Sequence, residues 1–207
     1  MRIHADVVGV NMKFFKKSKR WMKTHWKNRS FRIFLVVNIL LAVLLAVENM
    51  ALFSGGVLKM LRYVILLGAV AVIACIDKRS KRIPNEILLA LVYLRAVLLV
   101  IEGICYPSYA LSMILSVLLG SILGGGMFLI CYFITRGGVG MGDVKLFFVA
   151  GLYLGSGGIM AVVVTTVFSS AVYSIVQLVR RKAKLKDEIA FAPFVWIGLI
   201  LAMALGI

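Results

Sequence analysis

The stretch VKLFFVAGLYLGSGGIMAVVVTTVF, residues 144–168, is mostly apolar but is interrupted by Gly155, Ser156, Gly157 and Gly158. Clustered Gly and Ser mark turns, so the reading is a hairpin of two runs, 144–154 and 159–179, rather than one long helix. That choice decides how many times the chain changes sides of a membrane.

The flanking sequence requires a membrane. Of 207 residues 62% are hydrophobic and only eight are Asp or Glu, and the mean hydropathy is +1.03. A soluble domain would be about half apolar with charge spread along it. Further apolar runs at 33–53, 60–76, 86–104, 110–135 and 190–207 approach or exceed the roughly 18 residues that mark a spanning helix. The expected fold is an all-α integral membrane protein, a polytopic bundle of about seven transmembrane helices.

The net charge of +16 is read as topology, not as nucleic-acid binding. Ten Lys and Arg lie in residues 1–32, four are Lys78, Arg79, Lys81 and Arg82, and five fall in RRKAKLK, 180–186; Arg136 sits in a further loop. With a cytoplasmic N-terminus and the hairpin counted as two crossings, all of these share the cytoplasmic side, as the positive-inside rule requires. The C-terminus is then extracytoplasmic. A single crossing over 144–179 would place RRKAKLK outside. The expected organisation is a basic cytoplasmic segment 1–32, an additional transmembrane helix 33–53 and a membrane domain 60–207. The basic segment interleaves Phe14, Phe15, Trp21, Trp26 and Phe31 with its cations, which suits a solvated orienting tail or a helix lying on anionic headgroups. No cleavable signal peptide is expected.

Cys75, Cys105 and Cys131 lie in separate runs without CxxC spacing, and both His4 and His25 are in the tail. Neither a zinc site, another cofactor nor a disulfide frame is indicated. Ionisable residues inside the membrane region are functional suspects. Glu48 and Glu102 lie near helix ends where they can reach headgroups, and Arg95 can snorkel or pair with a neighbouring helix. Asp77 and Asp143 differ. The first ends the second run and the second begins the fifth, so on this topology the two carboxylates arrive at one membrane depth, on the cytoplasmic side.

Two carboxyls that meet there, repelling each other and partly desolvated, would share one proton. The ionised member can take a proton from water while the neutral one hydrogen-bonds a substrate carbonyl. Gly137, Gly138, Gly140 and Gly142 leave the backbone before Asp143 free for positive-φ turns or for close approach of another chain; a plain tight turn is the competing reading. Pro84 and Asn85 are expected to start the third helix, with Asn85 a suitable cap. Lys145 either snorkels or biases the charge of the pair. Gly120 and Gly124 have the small-xxx-small spacing of close helix packing, inside the monomer or at a homo-oligomer face.

Taken together, GMGDVKLFFVAGLYLG at 140–155, DKRSKRIPNEIL at 77–88 and FAPFVWIG at 191–198 resemble the type IV prepilin peptidases, membrane aspartyl proteases of the GxGD class. The resemblance covers about residues 60–207. It implies Asp77 and Asp143 as the catalytic pair, Gly140 and Gly142 as shapers of the GxGD loop, and an aspartic endopeptidase that needs no metal. It also implies pilin-like precursors as partners, cut at a basic leader on the cytoplasmic face of the plasma or inner membrane, for a pilus, secretion or competence system. Longer members carry a cytoplasmic domain with paired CxxC sites, associated with zinc and N-methylation; this chain has neither and resembles the short, peptidase-only form.

Three other readings compete, one of them a structural membrane subunit without chemistry, which leaves paired acids at one depth unexplained. A proton- or cation-coupled transporter could use the same aspartates as ion ligands, but both acids sit near one face and no internal repeat is evident. A presenilin-like or signal-peptide peptidase would have Tyr before the first Asp, where Ile76 stands, and PAL in place of the APF at 192–194.

Overall fold

The computed structural model describes residues 29–53, 56–136, 138–180 and 190–206. Most of the basic N-terminal segment, Gly137 and the run from Arg181 to Lys186 lie outside the described residues. Two compact units are distinguished, residues 1–41 and 42–207. Helix α1 (Arg29–Phe53) is apolar, and its Asn38 returns the side-chain amide to Phe34 O at 2.8 Å, within the same helix.

The described structure is helical throughout: α2 (Val57–Ser80), α3 (Asn85–Cys105), a 3₁₀ turn (Pro107–Tyr109), α4 (Ala110–Ile134), α5 (Met141–Val179) and α6 (Ala192–Ala204) follow α1. Among the described residues, four segments are long and apolar enough to cross a membrane: α2, α3, the 3₁₀ turn with α4, and α5. Helix α6 has 13 residues, about 20 Å, shorter than the roughly 30 Å of a hydrocarbon core.

The interruption at 155–158 is shorter than the sequence suggests. Only Gly155 leaves helical geometry, at φ 72 and ψ −174, so that two helical arms adjoin through a single residue of α5. Ser156, Gly157 and Gly158 are already helical, because glycine in a membrane helix does not by itself end it. The arms nevertheless fold back on each other. A Cβ placed on Gly124 of α4 would lie 2.6 Å from Phe147 O and 2.8 Å from Ile159 Cγ1, so those atoms are within about 6 Å of each other; in a continuous helix twelve residues span about 18 Å. At the other end, rings connect Phe147 to Phe191 (6.1 Å), Phe191 to Phe194 (6.4 Å) and Phe194 to Tyr173 (5.2 Å), joining both arms to the start of α6.

Glycine makes this hairpin possible. A Cβ on Gly155 would approach Ser116 Oγ to 2.5 Å, and its φ is one that L side chains rarely adopt. Ser116 Oγ accepts the Ser156 N–H at 3.3 Å, satisfying a donor that the reversal frees from the helical ladder. Gly120 meets the backbone of Gly151 and Gly155, and Gly124 meets Phe147 O. The small-residue face of α4 is therefore used within the chain, against the hairpin.

Candidate active site

The residues singled out in the sequence converge at one end of the bundle. Asp77 lies in the last turn of α2, which ends when Lys81 adopts a left-handed conformation (φ 49) and its N–H bonds Asp77 O at 2.8 Å. An acid at a helix C-terminus faces the negative end of the dipole. Here that cost is offset from outside the helix. Asp77 is buried, and its Oδ2 accepts the Ala192 N–H at 3.0 Å; the adjacent Phe191 N–H is also directed at the carboxyl. Both donors belong to the N-terminus of α6, whose first N–H groups have no partner inside the helix and whose dipole presents its positive end.

Asp143 stands at the third position of α5, with Gly140 as N-cap. Its N–H bonds Gly140 O at 3.0 Å, and its carboxyl folds back beside Gly140, with Oδ2 3.0 Å from where a Cβ on that glycine would lie. The side chain is half-buried and lies within coulombic reach of Asp77. The two carboxyls thus differ in exposure: Asp77 is enclosed and held by main chain from a distant helix, whereas Asp143 is more open.

Space, not unusual dihedrals, is the reason for the described glycines of the GxGD loop. Gly140 has φ −67 and ψ 134, ordinary extended backbone, and among the described residues the only glycines at positive φ are Gly155 and Gly206. A Cβ on Gly140 would lie 3.0 Å from Asp143 Oδ2, and one on Gly142 would lie 3.1 Å from Ile83 Cβ. Gly142 lets the IPN turn between α2 and α3 close onto α5. The expected cap there is displaced by one residue: Pro84 is the N-cap of α3 (φ −71, ψ 121) and Asn85 is the first helical residue, with no side-chain cap bond. Asn85 Oδ1 instead accepts Lys145 Nζ at 3.3 Å, joining the two motifs at the surface.

One helical turn beyond Asp143, on the same face, the buried Phe147 stacks on Phe128 of α4 with centroids 3.9 Å apart. Phe191 completes the group at 5.7 Å from Phe128. Among the described residues no three His, Cys, Asp or Glu side chains are grouped so that they could hold a metal ion.

Sequence reasoning missed the α6 donors, because a backbone N–H has no residue-type signature. The only signal was the Pro at 193 in FAPF, one that pre-forms a helix start. The expectation for Glu102 is corrected: it does not reach toward headgroups but is buried and paired with both Arg62 and Arg95.

Residues 64–175 match the model of the type IV leader peptidase family. The chain belongs to that family. A curated relative, the prepilin leader peptidase/N-methyltransferase of Bacillus subtilis (strain 168), is 29% identical over 152 residues, covering 73% of this chain and 58% of the relative. The chain thus spans well under two thirds of that relative's length. No solved structure matches it.

Proposed function

We propose that this chain is a membrane aspartic endopeptidase that removes basic leader peptides from pilin-like precursors, with Asp77 and Asp143 as its acid–base pair. The observation that carries the reading is that Asp77 and Asp143, on separate helices, come to one end of the bundle, where the Ile83–Pro84 turn after the Asp77 helix closes on Gly142 beside Asp143, in a chain of the leader peptidase family. With one proton shared between them, the ionised carboxylate takes a proton from a bound water. The water oxygen then bonds to the scissile carbonyl carbon while the protonated carboxyl donates to the carbonyl oxygen, giving a neutral gem-diol. The carboxyl that took the water's proton passes it to the amide nitrogen while the other carboxylate takes a proton from the gem-diol, so the C–N bond breaks to give a carboxylic acid and the new amino terminus and the shared-proton pair is restored.

The remaining residues have supporting roles in this reading. Gly140 keeps clear the space beside Asp143 Oδ2, Gly142 admits the Ile83–Pro84 turn, and the Lys145–Asn85 contact holds the two loops together at the rim. The site faces the cytoplasm, where Lys78, Arg79, Lys81 and Arg82 are exposed beside it, consistent with a cytoplasmic N-terminus, seven crossings with the hairpin counted twice, and an extracytoplasmic C-terminus in the plasma or inner membrane. The reversal at Gly155 favours that count.

The test is reconstituted cleavage of a purified pilin-like precursor by wild-type protein and by Asp77→Asn and Asp143→Asn. Asn preserves size and cannot exchange the proton, so each variant should insert normally and lose more than about 1,000-fold in rate, since both acid and base roles fail. Substantial cleavage by either variant removes that residue from the pair. Asp-dependent movement of protons or cations across vesicles without any cleavage would replace the peptidase with a transporter.

A further inference from the structure

Away from the aspartates, the bundle buries a charged cluster that the peptidase reading does not use. Arg95 of α3 is 2% exposed and Glu102, two turns on, is 3% exposed. Arg95 Nη1 bonds Glu102 Oε2 at 3.0 Å. Arg62 of α2 lies on the other carboxylate oxygen, Nε to Oε1 at 3.0 Å, as an ion pair outside hydrogen-bond angle. Arg95 Nε also donates to Leu152 O at 2.8 Å.

Leu152 is three residues before the reversal at Gly155. The last carbonyls of the Asp143-bearing arm lose their helical partners there, and a guanidinium is suited to both the carbonyl and the negative dipole end. Tyr153 strengthens the contact: its hydroxyl donates to Leu91 O at 2.8 Å, and the Arg95 guanidinium lies 6.0 Å from its ring. A closed frame results. From Asp77 it follows α2 back fifteen residues to Arg62, crosses Glu102 and Arg95 to Leu152 O, and returns nine residues along the arm to Asp143.

Helices in lipid have little hydrophobic reason to prefer one axial offset over another. A buried ion pair is weak evidence for stability but a good device for fixing register. We propose that Arg95 is a positioning residue, which caps the Asp143 arm at Leu152 O and through Glu102 and Arg62 fixes the depth of that arm against α2, and so the meeting of Asp143 with Asp77. The inference rests on the aspartate pair of the proposed function, and one of its readouts does not depend on catalysis.

The experiment compares wild type, Arg95→Met and Arg95→Lys in lipid. Precursor cleavage is resolved into kcat and KM. Separately, crosslinking by a bifunctional thiol reagent, whose spacer replaces the reach of the lysine side chain, is timed between cysteines introduced as Asn85→Cys and Lys145→Cys, in a background without Cys75, Cys105 and Cys131; this pair reports the axial offset of the arm whether or not the protein is active. Arg95→Met should lower kcat by about 100-fold with KM changed less than about threefold, since a misplacement on the order of 1 Å has that effect, and should slow the crosslink. Arg95→Lys, which keeps a charged donor, should recover part of both. If Arg95→Met does not accumulate, the same two readouts on Glu102→Gln, which leaves the Leu152 cap, should show a smaller shift in the same direction. Unchanged kcat, or lost kcat with an unchanged crosslink, overturns the proposal. A slowed crosslink in a protein whose Asp77→Asn and Asp143→Asn variants still cleave would instead overturn the aspartate pair and leave the frame standing.

Discussion

Asp77 at the C-terminus of α2 and Ala192 at the N-terminus of α6, 115 residues apart, are joined by a buried hydrogen bond of 3.0 Å from the Ala192 N–H to Asp77 Oδ2. The bond fixes one carboxylate oxygen. It also gives the FAPF segment a function that its apolar side chains do not suggest. The donor is only as well placed as the first turn of α6, which Pro193 pre-forms.

Pro193→Gly should therefore loosen the donor without touching either aspartate. The expected stability cost is about 1 kcal/mol, from added freedom in the unfolded chain, whereas kcat should fall by about tenfold or more through the displaced carboxylate. Detergent-phase unfolding and precursor cleavage measured on the same preparation separate the two. A rate loss no larger than the loss of folded protein would mean that Asp77 does not depend on this helix start.

The two glycines of the GxGD loop should respond differently to the same substitution. In Gly140→Ala the new methyl meets Asp143 Oδ2 at 3.0 Å, a flexible side-chain end that can move aside, so the protein should fold normally and lose rate. In Gly142→Ala it meets Ile83 Cβ at 3.1 Å, and separating the IPN turn from α5 should cost about 1–3 kcal/mol by overpacking. Ile83→Ala removes the outer atoms of that contact and should restore part of the Gly142→Ala loss, a coupling that a double-mutant cycle measures. Additive effects would show that the turn does not close on α5 through this glycine.

The sequence made some of these features legible and hid others for physical reasons. Asp77 and Asp143 stood out as candidates because an acid in an apolar run has few explanations, and the structure brings both to one end of the bundle. The break after the fifth run was readable from the Gly155–Gly158 stretch, though its width was not, since only the backbone at Gly155 leaves the helix. Glu102 and Arg95 were misjudged or left open because depth along a helix says nothing about partners on other helices. The Asn85 cap failed for a related reason: its side chain is taken by Lys145, 60 residues away. Contacts that depend on sequence-distant neighbours or on main-chain donors leave no local pattern.

The GSGG stretch supplies a test in which neighbouring glycines should behave oppositely. Gly155 has φ 72 and a Cβ there would meet Ser116 Oγ at 2.5 Å, whereas a Cβ on Gly157 would meet nothing within 4 Å. Gly155→Ala forces an L residue into an extended positive-φ conformation that is essentially restricted to glycine, about 1–3 kcal/mol, and adds a clash with the hydroxyl that caps the Ser156 N–H. Its total should reach about 2–4 kcal/mol. Gly157→Ala fills open space inside a helix and should be neutral or stabilise by up to about 1 kcal/mol, from the difference in helix propensity. Thermal or denaturant unfolding of the two variants in the same detergent reads both signs. Ser116→Ala in the Gly155→Ala background should relieve the clash but not the dihedral cost, so recovery should be partial. If both alanines are tolerated equally, Gly155 is not where the chain reverses, and Phe147 and Ile159 must be brought to Gly124 by some other turn.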